Sequence, residues 1–276
     1  MKSTGMFALG TVASLAATGV AAAAPIALQG SDTLAPVMTD AIIAGGLDAS
    51  VSYIGGGSGK AEAAILAKTQ GLGPMSRDMN DAAKGQATAA GINIKSHVIG
   101  LDAVSLFVNG NNTQAGLDLD TVRRIYACEI TSWSQIGGGD ADIVVYARNS
   151  ASGTTDTFKS LVKIKEFGAC VKVLPETADI AAKTSSEANA IGFSGLSARR
   201  PGNRILPLSA TAGGQMFEPT PANVRSFSYP LSRRLYVFEA SGAVTPTQAE
   251  IELLDLLLDP SFINPILLDH DFITVN

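Results

Sequence analysis

Histidine is almost missing from this chain. His97 and His270 are its only two, neither at a metal-ligand spacing, so metal or acid–base chemistry through imidazole has little to be built from. Both are read as surface or packing residues. Positive charge is scarce as well: 20 Lys and Arg stand against 25 Asp and Glu, a net charge of −5, which excludes bulk attraction to nucleic acid or to an anionic membrane. Two enzyme signatures begin and then break. Gly55 to Ala61 starts like a nucleotide phosphate loop, but Ile54 takes the place of its first glycine and Ala61 that of the magnesium-binding hydroxyl. A Gly-x-Ser-x-Gly nucleophile elbow fails at the same spot, because Lys60 replaces the second glycine. No catalytic residue, metal or cofactor is expected.

A strong membrane span is also lacking. The stretch Met6 to Val20 is short, interrupted by glycine and weakly apolar against the roughly 20 strongly apolar residues that a span requires. Preceded by Lys2 and followed by an alanine run, it reads as a secretory signal peptide covering residues 1–23, cut after Ala23, with Ala21 and Ala23 as the small pair. No cysteine lies near the cut, so a freely soluble mature protein in a bacterial periplasm is expected rather than a lipid-anchored one. Cys128 and Cys170 are the only cysteines. An even count in an exported chain permits one disulfide, two buried free thiols being the alternative. With 276 residues, 46% hydrophobic and 16% charged, the chain can form one large or two medium domains around a substantial core.

What the sequence does contain is a repeated chemistry at the ends of short strands. The apolar run Ile143 to Tyr146 leads to Arg148, then to the turn Ser152-Gly153-Thr154, and Phe158, Leu161 and Val162 give the next segment a helical face. Free N–H groups at a helix start are partly positive, and a guanidinium adds a planar donor pair suited to oxyanions. An ordinary capped helix beside a surface arginine is the plain alternative, since Ser and Thr are favoured caps anyway. The pattern recurs, however. Ile26 to Leu28 runs into Gly30-Ser31-Asp32-Thr33-Leu34, ahead of a helix with Val37, Ala41 and Ile42 on one face. Val51 to Ile54 runs into Gly55-Gly56-Gly57-Ser58-Gly59, ahead of a helix with Ala61, Ala64 and Ile65 on its face. Leu72 to Met75 delivers Ser76 and Arg77. Glycine-rich loops of this kind can form amide nests with a hydroxyl at hand.

The ordered series Gly-Ser-Asp-Thr-Leu, Tyr-Ile-Gly-Gly-Gly-Ser-Gly, Met-Ser-Arg, Ile-Thr-Ser-Trp-Ser-Gln-Ile-Gly, Arg-Asn-Ser-Ala-Ser-Gly-Thr-Thr-Asp-Thr-Phe and Ala-Ile-Gly-Phe resembles the phosphate-binding proteins of ABC-type phosphate importers. The late segment Tyr229 to Tyr236 is similar to that family too. The resemblance implies an α/β, two-lobed periplasmic-binding-protein fold of type II, with two mixed sheets flanked by helices and joined by a two-strand hinge. It implies phosphate held by Thr33, Leu34 (through its amide), Ser58, Ser76, Arg77, Arg148, Ser152, Gly153 and Thr154. In the best-known form of the pattern an aspartate follows the serine matching Ser76 and accepts the proton of hydrogen phosphate; Arg77 stands there instead, as in the Ser-Arg branch of the family. Asp32 is most simply an N-cap; alternatively it supplies the missing phosphate-proton acceptor. The implied function is capture of inorganic phosphate and delivery to inner-membrane ABC permease subunits, by a monomer, without catalysis. Another tetrahedral oxyanion such as sulfate or molybdate, a phosphate scavenger uncoupled from transport, or a phosphatase built on Ser58, Lys60 and the arginines are the alternatives.

Short strands alternating with amphipathic helices also predict an α/β protein with largely parallel sheets. Separate strands are expected at Ile92 to Ile94 and Asp102 to Val108, the second leaving one lobe for the other, with the chain returning between Ser226 and Glu239. Lobe 1 would then comprise 24–107 and 233–276, and lobe 2 residues 108–232. Cys128 and Cys170 both fall in lobe 2, where a bridge would staple that lobe without restricting the hinge. The final helix is expected to bury Ile251, Leu254 and Leu258, and the pairs Arg199-Arg200 and Arg233-Arg234 are read as solvated faces or as contacts to a transporter subunit.

Overall fold

The computed structural model describes residues 25–275; the expected signal peptide and its cleavage site lie outside them. The first third of the chain lays down three short strands, each feeding a helix or a tight loop. These are β1 (Ile26–Gln29), α1 (Ala35–Ala44), β2 (Val51–Ile54), α2 (Ser58–Leu66), β3 (Leu72–Met75) and α3 (Asp81–Ala89). β1 and β2 pair in parallel. The expected faces are buried: Val37, Ala41 and Ile42 on α1, and Ala61, Ala64 and Ile65 on α2.

Then comes β4 (Ile92–Asn109), a single strand of 18 residues where two short ones were expected. The polar stretch Lys95-Ser96-His97 reads as a break in sequence, yet in the fold it lies on the partly exposed half of a strand that continues past it. From Ile99 onward every residue of β4 is buried. The rest of the chain supplies β5 (Leu117–Asp118), α4 (Leu119–Tyr126), β6 (Val144–Arg148), α5 (Gly153–Val162), β7 (Lys172–Leu174), α6 (Thr177–Ser186), β8 (Ala190–Gly195), β9 (Asn203–Ile205), β10 (Leu208–Ser209), α7 (Pro221–Arg225), β11 (Ser232–Gly242), α8 (Gln248–Leu258) and α9 (Pro260–Asp269).

β4 joins the two halves of the molecule by changing partners. Residues Ile92 to Ala103 pair with β11, and Val104 to Asn109 pair with β8 and β9, all antiparallel. β3 extends the first half antiparallel to β11, whereas β6 lies parallel to both β7 and β8 in the second. The sheets are thus mixed, with more antiparallel pairing than the strand–helix alternation predicts, because the two crossing strands run against their neighbours. Apolar cores follow this division. Leu28, Leu34, Met38, Leu72, Leu253 and Leu267 belong to one core in the first half, while Tyr126, Phe158 and Phe193 centre the second. Phe158 and Phe193 stack at 3.9 Å between ring centroids, with the Tyr126 ring 4.7 Å from Phe158.

Cys128 and Cys170 are disulfide-bonded, with Cα atoms 6.0 Å apart, and join the end of α4 to the loop after α5. α8 corrects an expectation. It buries Leu253, Leu254 and Leu257, leaving Ile251 and Leu258 exposed. Its orientation is fixed by a buried glutamate: Glu250 accepts the Gly71 amide at 2.6 Å and the Leu72 amide at 3.2 Å while closing a capping box with Thr247. Counting apolar residues alone could not show that a charged one faces inward.

Candidate functional site

Two helix starts meet where the halves touch. Gly57 precedes α2 with φ 108°, a conformation that favours glycine, and a Cβ there would lie 2.0 Å from the Ala151 carbonyl oxygen. The Gly59 amide donates to that same carbonyl at 3.4 Å. On the facing side Ser152 caps α5, its Oγ accepting the Thr155 amide at 3.4 Å. Gly153 and Thr154 occupy the first two helical positions, which have no carbonyl a turn earlier to bond. A Cβ on Gly153 would lie 2.2 Å from Ser58 Oγ and 2.8 Å from Ser76 Oγ, so the fit requires glycine. Two partly positive helix ends and their amides therefore face one small space.

Hydroxyls line that space. Thr33, Ser58, Ser76, Ser152 and Thr154 are all buried. Thr33 and Thr154 bring their Oγ1 atoms to 3.2 Å across the cleft, and Ser58 and Ser76 bring their Oγ atoms to 3.5 Å. Several oxygens already accept from a fixed donor: Ser58 Oγ takes the Ser76 amide at 3.1 Å, and Thr154 Oγ1 takes Arg233 Nη1 at 2.8 Å. A hydroxyl has one hydrogen and two lone pairs, so an occupied lone pair turns the hydrogen elsewhere. Burying so many hydroxyls without apolar filler is costly unless something accepts their hydrogens.

Arg148 sits at the end of β6, 3% exposed. Its Nη2 donates to Asp32 Oδ2 at 2.6 Å across the cleft and its Nη1 to Thr177 Oγ1 at 2.6 Å, while its buried Nε has no partner among the described residues. Asp32 stands in the first turn after Ser31 rather than at the cap, and its other oxygen accepts the Gly56 amide. It therefore faces Arg148 and the site. Burial, with the Asp32 charge added, holds the neighbouring Tyr53 hydroxyl well above the usual phenol range, and that hydroxyl donates to the Ser31 carbonyl at 2.9 Å.

Two of the expected ligands are engaged elsewhere. The Leu34 amide donates to the Ser31 carbonyl at 3.1 Å. Arg77 is buried in an ion-pair network: Nη1 and Nη2 reach Glu62 of α2 at 2.6 and 3.2 Å, and Nε reaches Asp156 of α5 at 2.7 Å. It ties the two halves together next to the hydroxyls. Burial alone would lower the Arg77 pKa, but hydrogen bonds and charge from Glu62, then Asp156, override it and raise the value. Asp156 also moves up: burial, reinforced by the Glu62 charge, outweighs the pull of Arg77 and Lys159.

Residue-by-residue reading missed Arg233 and Asp102. Arg233 is 4% exposed, against its expected place on a solvated face, while Arg234 is exposed and stacks on Phe227 at 4.8 Å. Strand alternation explains the difference and was the available signal, since within β11 Arg233 shares its face with the buried Leu235. Around the site, Asp32, Glu62, Asp102 and Asp156 outnumber the guanidinium groups of Arg77, Arg148 and Arg233. Dipoles and hydrogen bonds, not net positive charge, must hold an anion here. Beside the hydroxyls a groove of about 900 Å³ runs between the halves, lined by Asp32, Thr33 and Gly55 on one side and Thr177, Arg199 and Arg200 on the other.

A family model described as the PBP superfamily domain matches residues 15–259. The chain belongs to this family. Among PBP relatives, a phosphate-binding protein PstS from Pseudomonas aeruginosa is 29% identical over 247 residues, covering 83% of this chain and 76% of the relative. One from Staphylococcus aureus, of the same name, is 25% identical over 239 residues, covering 84% and 73%. Among solved structures, a candidate phosphate ABC transporter substrate-binding protein from Clostridium perfringens with bound phosphate superposes with a TM-score of 0.80 at 25% identity, covering 91% of this chain and 100% of that one. An ABC-type phosphate transport receptor from Vibrio cholerae gives 0.72 at 19% identity, covering 90% and 99%, which supports the two-lobed type II PBP fold.

Proposed function

We propose that this protein is an exported receptor that captures inorganic phosphate between its two lobes and passes it to an inner-membrane ABC permease, with no chemistry on the ligand. The observation that carries the reading is the meeting of two helix N-termini, buried hydroxyls from both halves and an Arg148 Nε with no partner among the described residues. These are the donors a tetrahedral oxyanion needs on several sides at once. The named phosphate-binding relatives support the choice of phosphate.

In this reading Thr33, Ser58 and Ser76 donate from lobe 1, while Arg148, the Ser152 and Thr154 hydroxyls and the amides of Gly153 and Thr154 donate from lobe 2. Lobe 1 is formed by both ends of the chain and lobe 2 by the middle, with the switch near Ala103 and Leu231. Arg77 acts as a tie across the cleft rather than as a ligand. Because carboxylates outnumber guanidinium groups, the site favours an anion that brings its own proton, and Asp32 is the carboxylate placed to accept it. Hydrogen phosphate carries that proton at neutral pH and sulfate does not.

Competition for labelled phosphate by sulfate and molybdate tests the ligand, and restored phosphate uptake in a bacterium lacking its own receptor tests the coupling to transport. Effective competition by sulfate would move the ligand class; binding without restored uptake would leave a scavenger.

A further inference from the structure

Arg233 and Asp102 are directly paired in register on the two crossing strands, β11 and β4, beside the place where β4 changes partners. Every oxygen of Asp102 is used: Oδ2 accepts Arg233 Nε at 2.9 Å and Nη2 at 2.5 Å, and Oδ1 accepts the Leu196 amide at 3.1 Å. So fixed, the guanidinium reaches into both halves. Nη1 donates to Thr154 Oγ1 at 2.8 Å and Nη2 to Thr33 Oγ1 at 3.4 Å. Space for it is left by Gly195 at the end of β8, where a Cβ would lie 2.9 Å from Asp102 Oδ2 and 3.2 Å from Arg233 Nη2.

We propose that Arg233, held by Asp102 at the hinge, is a positioning residue for anion binding: it occupies a lone pair of each of the Thr33 and Thr154 hydroxyls, which lie 3.2 Å apart, so that whichever of the two donates to the other, the remaining hydrogen is turned to the ligand. Each threonine belongs to a different half, and Arg233 reaches both only while the halves are closed. Its planar fork thus links closure of the cleft to the polarity of two ligand-binding hydroxyls. A lysine brings its three donors on a single nitrogen and lacks the spread planar fork that spans Asp102, Thr33 and Thr154 here. The inference rests on the reading of the site as a phosphate site.

The test is phosphate titration calorimetry on the mature protein and its variants, with thermal melting to establish folding. Arg233→Gln alone would leave Asp102 buried without a counter-charge, so Asp102→Asn is combined with it, and Arg233→Lys serves as the second, charge-retaining variant. Folded Asp102→Asn/Arg233→Gln protein should bind phosphate at least about tenfold more weakly, and Thr154→Val should show a loss of similar size. Because Arg233 acts through the hydroxyl, joining the two changes should cost far less than the product of their separate effects. Thr154→Ser, which restores a hydroxyl, should recover most of the affinity, and Arg233→Lys should bind several-fold more weakly than wild type. Wild-type affinity in a folded Arg233 variant, or losses that simply multiply, overturns the positioning role while leaving the phosphate reading intact. Absence of phosphate binding by the wild-type protein overturns both.

Discussion

Replacing Gly153 by alanine should separate binding from stability. The added Cβ would stand 2.2 Å from Ser58 Oγ, 2.8 Å from Ser76 Oγ and 2.9 Å from Ser58 Cβ. Turning the Ser58 side chain cannot relieve the last contact, so the two halves must part by roughly 1 Å to restore ordinary van der Waals spacing. Donors set at hydrogen-bond distance from an enclosed anion cannot follow such a shift on both sides. Losing even one hydrogen bond to a charged group costs about 1.5–3 kcal/mol, a weakening of roughly 10- to 150-fold in Kd. The backbone does not object, because Gly153 is the first residue of α5 and is not among the positive-φ glycines. Alanine there gains about 0.4–1 kcal/mol through the unfolded chain, which offsets part of the cost of disturbing the Arg77–Asp156 and Arg148–Asp32 ion pairs that cross between the halves. Calorimetry and thermal melting on the same preparations should therefore show a weakened phosphate site in a protein that still folds and melts cooperatively. Unchanged phosphate affinity would refute the packing of α5 against α2 as the geometry of capture.

Arg148→Ala should weaken phosphate binding by at least about 1.5–3 kcal/mol, and Arg148→Lys by less, since the charge remains while the fork is lost; near-wild-type affinity in the alanine variant would remove Arg148 from the site. Asp32→Asn should lower the preference for phosphate over sulfate, measured as a ratio of dissociation constants, and an unchanged ratio would end the role of Asp32 as proton acceptor. The carboxyl of Asp156 titrates above its ordinary value of 3.8 because burial disfavours its charge, so its contribution to stability is full below that value and falls as pH rises through the window above it. The melting temperature of the wild type minus that of Asp156→Asn should accordingly decline as pH is raised through this window, and a rise would reverse the sign of the assignment. Removing the bridge with Cys128→Ser/Cys170→Ser should cost about 4 kcal/mol, the loop-closure scale for a separation of 42 residues, without altering phosphate affinity. A comparable loss of affinity would mean that the bridge shapes the cleft.

Much of this was legible because it depends on local rules. Strand-then-glycine-then-hydroxyl segments locate helix starts, and the inward faces of α1 and α2 follow from helical spacing alone. Long-range partners were less visible. That Arg77 pairs with Asp156 is set by the approach of α5 to α2, across 79 residues of sequence. The Arg233–Asp102 pair spans 131 residues and exists because two long strands cross side by side, one of which sequence reading had split in two. Charged residues in buried places, Glu250 among them, defeat apolar periodicity for the same reason: their partners lie far along the chain.

The central claim is that the cleft is a phosphate site, and isothermal titration of phosphate into protein unfolded and refolded to strip carried-over ligand tests it most directly. Tight binding of one phosphate per chain, with little heat from sulfate or molybdate, is the expected result; no phosphate binding by correctly refolded protein would contradict the account.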